Sequence, residues 1–89
     1  MNSYITDDFA NCFEKLPDSV KKQAKKAYRL WKKDIHYPSL HFKRVNSKDP
    51  VYSVRIGRGW RVLGLMEGNA VMWFWIGSHA DYDKLLAQL

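Results

Sequence analysis

The chain has little cysteine, no long apolar run and, through its middle, almost no negative charge. Its single cysteine, Cys12, rules out an internal disulfide and points to a reducing compartment. Cys12 is expected to pack at a helix interface rather than act as a nucleophile. The longest apolar run, Ala70 to Ile76, is far below the ~20 residues a membrane-spanning helix needs. The N-terminus lacks the basic flank and apolar stretch of a signal peptide, so a soluble cytoplasmic protein with no membrane contact is expected. His36, His41 and His79 do not stand with carboxylates or Cys12 at metal-ligand spacing. Neither a metal nor any other cofactor is expected.

The scarcity of acid is uneven. Residues 1–20 carry Lys15 against Asp7, Asp8, Glu14 and Asp18, and residues 62–89 carry Lys84 against Glu67, Asp81 and Asp83. Between them, residues 21–61 hold thirteen lysines and arginines against Asp34 and Asp49, so the net charge of +6 arises entirely in the middle. A basic block of this kind favours a polyanion, or an acidic protein that masks it. Its helical half is equally consistent with a solvated helix face.

Eighty-nine residues make one domain, 1–89, with a modest core, since a chain this short buries little more than roughly 60% of its unfolded surface. Aromatic residues at 15% compensate, because large rings fill a core with few residues. Phe9, Cys12, Phe13 and Leu16 form one apolar stripe, predicting a helix from Asp7 to Leu16. Pro17 interrupts it. Val20, Ala24, Ala27, Tyr28, Trp31 and Ile35 form a second stripe, predicting an antiparallel partner helix that ends near His36–Tyr37, before Pro38. Leu40, Phe42 and Val45 then suggest a short strand bearing His41, Lys43 and Arg44.

Val51–Ile56 and Trp60–Met66 read as a hairpin around Gly57-Arg58-Gly59. A three-residue turn sets Arg55 opposite Arg61 on one face beside Ser53 and Leu63, with Tyr52, Val54, Ile56, Trp60 and Val62 facing the helices. A two-residue turn would break this match. Like charges directly across a sheet repel, so the pairing is easier to understand with an anion between them. The alternative is that both arginines pair with carboxylates or are solvated. Gly68–Asn69 makes the next turn, and Ala70–Ile76, apolar without alternation, reads as an interior strand covered on both faces. His79 emerges at the end of that strand, before a short helix from Asp81 to Leu89. Strand ends are common places for working residues, although a lone histidine is more often structural or solvated. The expected fold is α+β: an N-terminal helical hairpin packed on a small, mainly antiparallel twisted sheet, with a short C-terminal helix.

The segments YSVRIGRGWRVLGL and WIGSHADYDKLL, the Leu16-Pro17 junction and PSLHFKRV together resemble the RelE/ParE superfamily of toxins from type II toxin–antitoxin systems, on the RelE-like and YafQ-like side. The likeness covers nearly the whole chain. It implies a microbial RNase-like fold, a cognate antitoxin partner that can form a hetero-oligomer with the toxin, and, in ribosome-dependent members, messenger RNA cleavage on the ribosome. Arg55 and Arg61 match the two hairpin arginines that hold the scissile phosphate, and His79 matches the catalytic histidine of the YafQ-type ending. Tyr82 corresponds to an aromatic that stacks on or positions the substrate base. Lys43, with His41 close by, lies where some relatives place a proton-transfer residue, and Arg44 and Arg58 are further candidates for phosphate contact. The chain departs from the pattern at Trp60, at the extra glycine of the hairpin turn, and in setting Tyr82 three residues after His79 rather than four.

The chemistry implied is metal-independent transesterification by a ribose 2′-OH. Imidazole suits a proton role because its unperturbed pKa of about 6.5 lies near working pH. Arginines would stabilise charge on the phosphorane, commonly the largest catalytic contribution. Two other classes fit the same residues less fully. One is a ParE-type inhibitor of DNA gyrase without a nuclease centre. The other is a non-catalytic nucleic-acid-binding module that uses Trp73 and Trp75 for stacking.

Overall fold

Each element begins and ends where local chemistry dictates. A computed structural model describes all residues from Met1 to Leu89. The elements are β1 (Asn2–Ile5), α1 (Asp7–Glu14), α2 (Asp18–Lys33), a 3-10 turn (Pro38–Leu40), β2 (Lys43–Arg44), β3 (Val51–Ile56), β4 (Trp60–Glu67), β5 (Ala70–Ser78) and α3 (His79–Gln88). Three helices pack on a five-stranded mixed sheet of order β1-β5-β4-β3-β2, the expected α+β arrangement. None of the helices is long and apolar enough to cross a membrane.

The helical hairpin forms as its stripes predict, with shorter ends. Thr6 caps α1, its Oγ1 accepting from the Phe9 N–H at 3.1 Å, and Asp7 and Asp8 occupy the positive end of the helix. The expected run to Leu16 stops at Glu14 because Lys15 and Leu16 donate to the carbonyls three residues back. That tightening suits the residue before Pro17, where helical geometry is disfavoured. The second helix stops at Lys33 rather than near His36. Asp34 turns extended there, and its carboxylate accepts from the His36 N–H at 2.9 Å, a side-chain turn that competes with another helical turn.

The strand expected from Leu40 to Val45 shrinks to Lys43–Arg44. Leu40 is taken into the 3-10 turn and buried, and His41 follows in left-handed backbone at φ 47°, which breaks the extended run. The β3–β4 hairpin has the three-residue turn, with Gly57 supplying a positive φ of 58°. Its register pairs Ser53 with Leu63 and Arg55 with Arg61.

The absence of alternation in Ala70–Ile76 has a specific cause. Leu63 pairs with Trp75 and Gly64 with Trp73, so Phe74 is an extra residue in a β-bulge. Trp73 therefore joins the core under α1 and α2, whereas Phe74 and Trp75 pack on the other side of the sheet. Gly64 makes room for this. A Cβ on it would lie 2.5 Å from Val71 and 2.6 Å from the Trp73 ring. The reading of a strand covered on both faces is correct.

One strand escaped the sequence reading altogether. β1 adds at the edge of the sheet, parallel to β5, with Asn2 opposite Ala70 and Ile5 opposite Trp73. Four mostly exposed residues carry too little apolar periodicity to signal a strand, and their partner lies nearly seventy residues away.

Two apolar clusters hold the sheet. The larger includes Leu16, Val20, Ala24, Ala27, Trp31, Val54, Val62, Trp73 and Ile76. Trp31 is only 1% exposed and meets Trp73 and Phe42 edge-on, with ring centroids 5.2 and 5.8 Å away. Half-buried Cys12 packs against this cluster, as expected of a structural thiol. The smaller cluster, on the opposite face, is Val51, Leu63 and Tyr82 with Leu65, Trp75, Leu85 and Leu86 around it.

Candidate functional site

The register fixes which residues share the α3 side of the sheet. Residues opposite one another in antiparallel strands project to the same face, and every second residue along a strand does likewise. Lys43 pairs with Ser53, Ser53 with Leu63, and Arg55 with Arg61, so Lys43, Arg55 and Arg61 emerge on one face. Leu63 and Tyr82, buried there, identify it as the face α3 covers.

The hairpin turn holds the two arginines. Arg55 donates from Nε to the Gly57 carbonyl at 3.0 Å, while Arg61 donates from Nη1 to the carbonyls of Trp60 at 2.7 Å and Arg58 at 3.3 Å. Neither forms an ion pair; the carboxylates that lie close to a basic side chain are Glu14, beside Lys21, and Asp83, beside the His79 imidazole. The carboxylate-paired alternative is thereby removed. Each guanidinium carries five N–H donors and has most of them free. The two half-buried arginines are opposite in register on adjacent strands, and no carboxylate lies within ion-pair distance of either.

His79 reaches this face through the start of α3. Ser78 caps the helix, its hydroxyl accepting from the Asp81 N–H at 3.1 Å, so the helix begins at His79 rather than at Asp81. The His79 N–H donates to the Gly59 carbonyl at 2.8 Å, tying the histidine to the same turn that orients the arginines. Its imidazole lies 6.1 Å from the Tyr82 ring, stacked at 27°, and the Arg61 guanidinium lies 5.9 Å from that ring. Arg61, Tyr82 and His79 thus form one contiguous group.

Other candidates fall elsewhere or change role. Tyr82, expected as a base-stacking aromatic, is 7% exposed and a member of the smaller core. Its ring is occupied by protein and offers no free face to a base. Arg44 pairs with Tyr52, whose ring stacks on Phe42 towards the helices, so it projects away from Lys43. Its guanidinium donates to the carbonyls of Asn46 and Ser47 and stabilises that loop instead of meeting the arginines. His41 is exposed in the left-handed position before β2 and does not share the strand with Lys43. Arg58 stands at the exposed hairpin tip, where it lines a groove of about 550 Å³ with Arg55, Lys26 and Gln23. Trp73 and Trp75 belong to the two cores, which removes the stacking role considered for them. The larger groove, about 580 Å³ and mainly apolar, is lined by β1, α1 and α2 and contains none of the cationic cluster. Asp83 was not singled out by the sequence reading. Its position four residues after His79 on a helix was the available signal.

Comparison with known proteins follows the same lines. Residues 18–84 match the family model of the ParE-like toxin domain. Among solved structures, the RelB–RelE antitoxin–toxin complex of Methanococcus jannaschii contains a chain similar to this one at TM-score 0.74 and 12% identity, covering 92% of this chain and 96% of that chain. The RelE–RelB complex of Pyrococcus horikoshii OT3 is similar at TM-score 0.68 and 11% identity, covering 86% and 92%. The isolated E. coli RelE toxin is similar at TM-score 0.66 and 15% identity, covering 99% and 98%. At these identities the likeness concerns the fold. A search of curated protein sequences finds no match.

Proposed function

The chain belongs to the ParE-like toxin domain family, within the RelE/ParE superfamily of toxin–antitoxin toxins, and from the geometry of its cationic face we propose that it is a metal-independent messenger RNA endoribonuclease acting on the ribosome. The observation that carries this reading is the pair Arg55 and Arg61, side by side without a carboxylate and tied through one turn to His79. Gyrase inhibition offers no evident reason to assemble two unpaired guanidiniums and an exposed imidazole on one face.

In this reading the scissile phosphate sits against Arg55 and Arg61, whose free N–H groups stabilise charge as it develops on the phosphorane. His79 accepts the proton of the ribose 2′-OH, and the 2′-oxygen attacks phosphorus. The bond to the 5′-oxygen breaks, leaving a 2′,3′-cyclic phosphate. The Lys43 ammonium, on the same face, returns a proton to the leaving oxygen. Tyr82 supports Arg61 and His79 from beneath rather than stacking on substrate. The partner is a cognate antitoxin, in keeping with the antitoxin–toxin complexes among the structural relatives. The whole chain, 1–89, acts as one toxin domain in the cytoplasm.

Induced expression is expected to arrest growth and produce cuts in translated messages, mapped by primer extension. His79→Ala and Arg61→Ala are each expected to relieve the arrest while circular dichroism shows an intact fold. DNA breaks and an SOS response with intact messages would replace this reading with gyrase inhibition. Harmless expression with salt-sensitive RNA binding would replace it with a binding module.

A further inference from the structure

The pair His79–Asp83 has no assignment in the mechanism above, yet it is the one place where a carboxylate meets the cationic face. His79 Nδ1 and Asp83 Oδ2 are 3.6 Å apart, one turn of α3 from each other. Helix stability alone gives no reason for the pairing. A cation at the helix start with an anion one turn later is the less favoured order against the macrodipole. Both side chains are about half exposed, at 49% and 61%, where an ion pair contributes little to folding. At 3.6 Å the two atoms stand just beyond hydrogen-bond length, and a small rotation of either exposed side chain closes a bond that selects a nitrogen. A carboxylate beside Nδ1 favours the tautomer with the proton on Nδ1, which leaves the Nε2 lone pair as the acceptor.

We propose that Asp83 is a positioning residue that holds His79 in the Nδ1–H tautomer, with Nε2 turned outward to accept a proton from the substrate; this rests on the ribonuclease reading. Two restraints then act on one imidazole. The Tyr82 ring, stacked at 27°, sets the plane, and the Asp83 carboxylate sets the rotation within it. The backbone bond from His79 to Gly59 fixes where the ring begins. Asp81, by contrast, uses its N–H on the Ser78 cap and forms no ion pair with His79.

The test separates the contact from the reaction. Long-range proton–nitrogen NMR correlation of the nitrogen-15-labelled chain, recorded with the imidazole neutral, reads the His79 tautomer directly. Wild type is expected to show Nδ1–H, Asp83→Ala to shift to Nε2–H, and Asp83→Glu to restore at least part of the original signal. In ribosome-dependent cleavage, Asp83→Ala is expected to lower kcat about tenfold with KM unchanged, a smaller loss than removal of the imidazole because the pair is exposed. An unchanged tautomer in Asp83→Ala overturns the proposal whether or not the chain cuts RNA. So does a switched tautomer with unchanged kcat in an active enzyme. A wild type that shows Nδ1–H, with the switch present in Asp83→Ala, but cleaves nothing supports the contact and sinks the ribonuclease reading instead.

Discussion

The two faces of the sheet are built on opposite principles. Under α1 and α2, large rings and branched side chains from two helices and three strands interlock around Trp31 and Trp73, with no charged residue among the buried ones. Under α3 the core is three buried residues wide, and beyond it stand Lys43, Arg55, Arg61 and His79. Burying a Trp-sized side chain is worth on the order of 4–6 kcal/mol gross, so the first face can carry most of the fold. The second face can then hold two arginines opposite one another, an arrangement that costs stability by repulsion. Stability and chemistry share one sheet by taking different sides of it.

Breaking the larger face should have the largest effect. Trp31→Ala is expected to cost about 3–5 kcal/mol, read by urea unfolding, which for a chain this small approaches its entire stability. A loss below about 1 kcal/mol would mean that the helix-side core is not what holds the sheet. Gly64→Ala tests the same face from the bulge. Its new methyl meets the Trp73 ring and Val71, and overpacking of that kind is expected to cost about 1–3 kcal/mol.

Tyr82→Leu sharpens the comparison because Tyr82 belongs to both sides of the division. Removing the ring should cost about 1–2 kcal/mol in stability while slowing message cleavage more than that loss explains. A stability loss with cleavage fully retained would make Tyr82 a core residue only. The smallest effects, read on RNA binding and apart from the proton transfer given to Lys43, separate two adjacent residues. Lys43→Ala should weaken RNA binding and reduce the slope of log affinity against log salt by about 1, whereas Arg44→Ala should leave that slope unchanged. Equal slopes for the two variants would mean that the face assignment does not govern RNA contact.

Much of this was readable from residue spacing, because helical and strand periodicities are local geometry. The stripes of the two helices follow from spacings of three to four residues, the Arg55–Arg61 match from a spacing of two once the turn has three residues, and the double cover of β5 from an apolar run without alternation. The misreadings share a cause. Asp34 ended a helix early and His41 broke a strand through local backbone preferences that the apolar pattern does not contain. Arg44 and Lys43 are neighbours on one strand and project to opposite faces, a separation that the short segment does not signal without its register. Parallel pairing of β1 with β5 joins segments nearly seventy residues apart and left no periodic trace.

By itself the sequence determined the types of the longer elements, a match of Arg55 with Arg61 that holds only for a three-residue turn, and the helical spacing of His79 and Asp83, since covalent geometry sets side-chain direction within an element. Only the tertiary structure decided what each direction meets. It placed a bulge at Phe74 that parts Trp73 from Trp75, brought α3 over the sheet so that Tyr82 became core, and joined His79 to the hairpin through Gly59. These depend on contacts between segments far apart in the chain, where burial of apolar surface and satisfaction of backbone groups, rather than local spacing, select the arrangement.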